Sequence, residues 1–240
     1  MDEVRPTFRP AGDTGLVVEF GEHIDRAVSR RVVALQTRIR AACLPGVIET
    51  VSTFRSLLIH LDPDATSVER VQDAVAALLE GLEVEDIAPR GWIIPVCYEA
   101  AFAPDLLAVA DRCGLTPSRV VEIHSSNAYH VYMIGFLPGL PYMGDLAQQL
   151  VLPRLVEPRL RVPPGSIAIA TTLTTIYPLE SPGGWHLIGR TPVKLFDIGR
   201  VPPALLNPGD KVGFTPISSS KFAELESLVE AGQYELRAVQ

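Results

Sequence analysis

The chain has 240 residues, 47% of them hydrophobic, and a formal net charge of −7, enough for one large domain or two ordinary ones with well-filled cores. The acidic balance argues against a nucleic-acid partner, which needs a basic face to neutralise phosphates. No apolar run approaches the ~20 residues of a membrane helix, and the opening MDEVRPTFRPAGDTG lacks the apolar stretch of a secretory signal, so a cytoplasmic protein without a membrane partner is expected. Cys43, Cys97 and Cys113 are scattered without CxxC spacing, which reads as small buried apolar residues in a reducing compartment.

In chain order, the turn signal AGDTG precedes a short strand from Leu16 to Phe20. Ile24, Val28, Val32, Leu35 and Ile39 recur at helical spacing with Arg26, Arg30, Arg38 and Arg40 between them. This predicts a surface helix with one buried stripe over 24–42, ended by Pro45-Gly46. Val47–Thr53 and Ser56–Leu61 read as strands. A second helix is expected from Thr66, where Thr66-x-x-Glu69 has the capping-box form, with Val68, Val71, Val75, Leu78 and Leu79 buried. The order β-α-β-β-α without a phosphate loop predicts a small α+β, ferredoxin-like sandwich over 1–88. Residues 81–90, with Glu83, Glu85, Asp86 and Pro89, read as a solvated connector. Residues 1–90 carry ten basic and fifteen acidic side chains, against eleven and thirteen in the remainder, so the most negative surface is expected in the first part.

The second part, 89–240, opens with a strand from Trp92 to Tyr98. Two short helices follow, with Pro104 in the first turn of one and Thr116-Pro117 opening the other. Tyr129–Phe136 returns to strand. Then RLRV, SIAIA, TTIYP, WHLIG, VKLF and KVGFTPI are divided by Pro and Gly, which predicts a β-barrel or sandwich. Ser218–Val229 reads as a terminal helix with Phe222, Leu225, Leu228 and Val229 inward.

Residues 135–192 carry the chemistry. The stretch holds seven Gly and nine Pro, yet apolar and aromatic residues run all through it, so it reads as tight turns between buried strands and not as a linker. Its basic residues are all arginine: Arg154, Arg159, Arg161 and Arg190. The guanidinium is a planar, always-charged fork suited to carboxylates and phosphates. Arg159 and Arg161 flank Leu160 at period two, so both are expected on one side of a strand, where a shared anion would relieve their repulsion; paired or solvated surface arginines are the plainer reading. Tyr142, on a Pro/Gly-braced loop, is a candidate ligand wall or a lid over the core. His186 follows Pro182-Gly183-Gly184-Trp185, and histidine is the side-chain type suited to proton transfer near neutral pH, which makes it the candidate catalytic group. Trp185 is read equally as a stacking wall and as a core filler. No GxSxG elbow, Walker loop or HExxH is present, and the five histidines lie too far apart in sequence to suggest a metal site.

The motifs GFLPGLPYMGDL, LPRLVEPRLRVPPGSIAI and IYPLESPGGWHLIGRTPVKLFD resemble the family of the 5-oxoprolinase B component, and AGDTGLVVEFG, STFRSLLIHLDP and IPVCY extend the resemblance over nearly the whole chain. The same family is similar to allophanate hydrolase subunit 1, to a sporulation-kinase inhibitor and to part of the carboxyltransferase region of urea amidolyase. The resemblance implies a cyclophilin-like β-barrel for the second part behind a small α/β domain. It implies a cyclophilin-like partner of the C-component type, a lactam-utilisation A component, and ATP-dependent opening of 5-oxoproline to glutamate, with ATP bound by the complex. Tyr142, Arg159, Arg161, Tyr177, Trp185, His186 and Arg190 would then line a small anionic-substrate site. Two other readings remain: an enzyme component acting on urea-derived amides, and a non-catalytic histidine-kinase inhibitor. The family pattern runs close to IAGxQTGIYP where this chain has Ile169 to Pro178. Thr171 and Thr175 stand in place of Gly, and Leu173 in place of Gln. Threonine at a left-handed turn is unfavourable, and leucine lacks the amide's donor and acceptor.

Overall fold

The computed structural model describes residues 6–84 and 89–239. Glu85 and Asp86 of the expected connector, and the first five residues, lie outside them. The chain divides into two compact units, Met1–Ile87 and Ala88–Gln240.

In the first unit β1 (Thr7–Pro10), β2 (Gly15–Glu19), β3 (Val47–Ser52) and β4 (Ser56–Leu61) form an antiparallel sheet in the order β1-β2-β4-β3. Two helices, α1 (Arg26–Ala42) and α2 (Val68–Leu79), pack against it. Alternation explains the sheet's inner face: Leu16 and Val18 of β2 and Leu57, Ile59 and Leu61 of β4 are buried with Val32, Leu35, Ile39, Val71 and Val75 of the helices. A buried Gln36 on α1 donates to the Thr50 carbonyl at 2.9 Å, so the helix is keyed to β3 by a satisfied polar contact.

The helix starts differ from expectation. Asp25 caps α1 by accepting from the Val28 amide at 2.8 Å, which leaves Ile24 outside the helix and 55% exposed. Ser67, not Thr66, caps α2, because the Thr66 amide is already committed to the Asp62 carbonyl at 3.0 Å in the preceding turn.

The second unit holds β5 (Gly91–Cys97), α3 (Leu106–Cys113), α4 (Pro117–Ser125), β6 (Tyr129–Ile134), β7 (Pro141–Gly144), β8 (Arg159–Val162), β9 (Ser166–Ala170), β10 (Leu173–Ile176), β11 (Ser181–Gly183), β12 (His186–Arg190), β13 (Lys211–Ile217) and α5 (Ser219–Glu230). Seven strands close a barrel in the order β10-β7-β6-β13-β5-β12-β9, and β8 with β11 makes a separate two-stranded ribbon. The parallel β5–β13 pairing runs from Lys211↔Gly91 to Ile217↔Cys97. Closure leaves the barrel no free edge.

Strand β9 separates two apolar clusters. Ile167 and Ile169 join the main core, with Ile94, Val131, Met143, Ile176, Ile188 and Phe214. Ala168 and Ala170 join a second cluster with Leu140, Val162, Tyr177, Trp185 and Leu187. Burial on both faces is why SIAIA reads as an unbroken apolar run. At the main core, His124 of α4 is fully buried between the Tyr98 hydroxyl (2.8 Å from Nδ1) and Thr174 Oγ1 (3.1 Å from Nε2), stacked 4.7 Å from Phe214.

Three further expectations change. Pro104 precedes the N-cap Asp105 of α3 and stands outside its first turn. PYMG, read as a loop from its Pro and Gly, is barrel strand β7. VKLF is not a ladder strand: Val193 and Leu195 are buried, but the Lys194 and Leu195 carbonyls accept from the Arg200 guanidinium, at 3.2 and 2.8 Å. Its pairing is a single isolated bridge, Phe196 with Ala204, so its alternation records burial more than a ladder.

Candidate functional site

A groove open to solvent lies over the second apolar cluster. One wall comes from the β6–β7 turn, β7, β10 and the residue after it: Phe136, Leu140, Tyr142, Thr175 and Tyr177. The other comes from the ribbon and its approach: Arg154, Gly183, Gly184 and Trp185. Arg154 stacks over the Trp185 ring at 5.7 Å, and Tyr142 meets the same ring edge-on at 6.0 Å. Thr175 Oγ1 donates to the Pro141 carbonyl at 2.6 Å, holding the first wall together.

The second wall is fixed by a small set of bonds. The Leu155 amide donates to the Gly184 carbonyl at 2.8 Å, and His186 Nε2–H donates to the Pro153 carbonyl at 2.9 Å, beside Arg154. Arg159 forms an ion pair with Asp105, the N-cap residue of α3, whose other carboxylate oxygen accepts from the Leu187 amide at 2.7 Å. Ribbon, helix start and barrel strand are therefore bound through one carboxylate. At Gly183 an added Cβ would stand 2.5 Å from the Tyr177 hydroxyl oxygen, so only glycine lets the ribbon approach that phenol.

Burial raises the pKa of Tyr142 against the opposing charge of Arg154. It does the same for Tyr177, helped by Tyr142 and opposed by Arg154 and Arg159. Both phenols are thus kept as neutral O–H groups. The lining holds one guanidinium, two phenols and a threonine hydroxyl, and no carboxylate. Such a groove favours a small anion with an apolar body.

Of the residues singled out in the sequence, Tyr142, Tyr177 and Trp185 meet at this groove. Trp185 fills the second cluster and also presents its ring to Arg154, so it is both wall and filler. His186, buried in β12, does not line it. Arg159 and Arg161 do not share an anion: Arg159 turns inward to Asp105, while Arg161, 82% exposed, stands 3.6 Å from Glu180. Arg190 donates to the Pro164 carbonyl at 2.9 Å and covers the Phe222 ring, away from the groove. Arg154 is one of the segment's four arginines, yet sequence reasoning does not single it out as a ligand. Its signal is position: it lies two residues before the Val156-Glu157-Pro158 turn that leads into β8. Phe136 carries no separable signal, and Thr175 is marked only by standing where the family pattern has Gly. Among the described residues no group of three His, Cys, Asp or Glu is placed to hold a metal ion. No helix among them is long and apolar enough to cross a membrane.

The chain matches known proteins in sequence and in fold. Residues 6–206 match the family described as carboxyltransferase domain, subdomain C and D. The chain is 38% identical over 233 residues to the B component of 5-oxoprolinase from Bacillus subtilis (strain 168), covering 91% of this chain and 96% of that protein. Among solved structures, TTHA0988 superposes with a TM-score of 0.77 at 36% identity, over 87% of this chain and 41% of the other. This chain thus spans about two-fifths of that protein. The Kluyveromyces lactis urea carboxylase shares the fold, with a TM-score of 0.81 at 20% identity, over 98% of this chain and 24% of the other. The match over most of the sequence shows that the chain belongs to the family of the 5-oxoprolinase B component, within the carboxyltransferase-domain subdomain C and D family.

Proposed function

We propose that the chain is the B component of a 5-oxoprolinase-type complex. With a cyclophilin-like partner of the C-component type and a lactam-utilisation A component it opens the lactam of 5-oxoproline to glutamate, coupled to ATP hydrolysis. The cyclophilin likeness of the barrel and the ferredoxin-like reading of the first unit go with this assignment. The observation that carries it is the groove, with four aromatic walls, a single lining guanidinium and no lining carboxylate. A small ring bearing one carboxylate matches that lining in size, shape and sign. A nucleoside triphosphate would bring several negative charges to one lining cation, so ATP is assigned to the partner components.

In this reading Arg154 pairs with the substrate carboxylate at the mouth. Trp185, Tyr142 and Phe136 enclose the ring, and Tyr177 offers an O–H at the inner end. His186, through its bond to Pro153, holds the segment that carries Arg154 and acts as a positioning residue. Co-expression with its partner components and measurement of ATP-dependent glutamate release from 5-oxoproline is the test. The assembled complex is expected to release glutamate, and Arg154→Ala to raise KM by about tenfold or more, as befits loss of a charge-assisted contact. Release from urea-derived amides, with none from 5-oxoproline, would overturn the assignment.

A further inference from the structure

Behind the groove wall, on the strand paired with Gly183, stands a charge that the substrate reading leaves unused. Arg159 is paired in the β8–β11 register with Gly183, and Gly183 lies against the Tyr177 hydroxyl. Its side chain is 29% exposed, and only one of its terminal nitrogens is engaged by Asp105. The other, Nη1, is buried without a hydrogen-bond partner. An unpaired buried donor on a charged group is costly, of the order of a few kcal/mol, and ordinarily marks a site where a ligand or a functional constraint completes the pairing. Asp105 engages this fork at one nitrogen only, because its other oxygen accepts from the Leu187 amide.

We propose that the inner end of the groove is a second anion subsite, in which the Tyr177 O–H donates to a ligand oxygen and Arg159, behind the phenol, supplies the positive field. Arg154 holds the mouth on Trp185, so the groove has a cation at each end. The ligand class follows: a small molecule with a carboxylate at one end and, at the other, an amide oxygen or second oxyanion that gains negative charge. A guanidinium in a partly desolvated wall acts on such an oxygen more strongly than a solvated one. This assignment rests on the substrate reading above for the identity of the ligand, and on the geometry alone for the subsite. Arg161, two residues on and solvated beside Glu180, lacks this setting and has no such role.

The test uses the full chain, with Trp185 fluorescence reporting occupancy of the groove. The variants are Arg159→Gln, which removes the charge while leaving an amide to bond Asp105, and Arg159→Lys, which keeps a charge but loses the fork. The probes are 5-oxoproline, its neutral analogue 2-pyrrolidinone and inorganic phosphate. Arg159→Gln is expected to weaken 5-oxoproline about tenfold and 2-pyrrolidinone at least threefold. Arg159→Lys should lie between Arg159→Gln and the unaltered chain, and Arg161→Gln should leave both affinities unchanged. Thermal unfolding of each variant separates a lost fold from a lost field. Equal affinities for Arg159→Gln and the unaltered chain, with both folded, would overturn the subsite. Phosphate bound more tightly than 5-oxoproline, and equally dependent on Arg159, would give the subsite to a phosphoryl group and overturn the carboxylate-and-amide class. Arg159-dependent phosphate binding without any 5-oxoproline binding would sink the substrate reading and leave the anion subsite standing.

Discussion

Thr171 carries backbone strain. Its φ is 52°, in the left-handed region, where a β-branched side chain meets its own carbonyl neighbours. Its amide is tied to the Leu152 carbonyl at 2.6 Å, so the conformation is imposed by the turn between β9 and β10 and not chosen by the residue. The cost of holding a non-glycine residue there is roughly 1–2 kcal/mol. Thr171→Gly removes that cost, at the expense of a more flexible unfolded chain. It keeps the backbone bond to Leu152 and loses only the local Oγ1 bond to the Ala170 carbonyl. The variant is expected to be more stable by about 1 kcal/mol in urea unfolding. A loss of stability would show that the threonine hydroxyl outweighs the backbone strain.

Among the elements, the seam between β10 and β7 is thin, with Thr174↔Met143 as its single paired register position, as Arg190↔Cys97 is between β12 and β5. Thr175, buried on β10, reinforces it by donating to the Pro141 carbonyl of β7. Thr175→Val preserves shape and removes the donor, and is expected to cost about 1–2 kcal/mol by chemical denaturation. An unchanged midpoint would mean that the seam needs no side-chain tie. The same seam marks the limit of what the sequence reveals. SIAIA and LLIHL are legible because burial and alternation act within the strand itself. PYMG is not, because its Pro and Gly read as turn formers, although the strand pairs with the neighbouring β6 in a hairpin. VKLF misleads because buried alternation does not require a ladder. At the site, Tyr142, Tyr177 and Trp185 are legible as large side chains braced by Pro and Gly. The different fates of Arg159 and Arg161 are not, since they depend on Asp105, 54 residues from Arg159.

At the scale of the whole second unit, His124 links stability to pH. Its environment is apolar and aromatic: Tyr98, Tyr129 and Phe214 surround the ring, and Thr174 receives its Nε2–H while itself donating to the Ala168 carbonyl at 3.1 Å. The remaining nitrogen, Nδ1, accepts from Tyr98, so a neutral ring satisfies every partner and a protonated one satisfies fewer. Burial lowers its pKa from 6.5 to about 3. Above pH 6.5 the ring is neutral in both the folded and the unfolded chain, and its contribution to stability is complete. Below it the unfolded chain takes up a proton that the folded chain refuses, so stability falls with acidification until the folded pKa is reached. The limiting slope is about 1.4 kcal/mol per pH unit. His124→Gln is expected to be less stable at about pH 7.5, because the Tyr98 hydroxyl loses its acceptor, yet to lack this slope. The stability difference between the two chains should therefore narrow steadily from about pH 6.5 to about pH 5. Taking the difference removes the titration of carboxylates and of the other four histidines, which both chains share. Parallel stability curves over that window would show that the barrel core accommodates a charged imidazole, and that the Tyr98–His124–Thr174 chain is not what keeps the ring neutral.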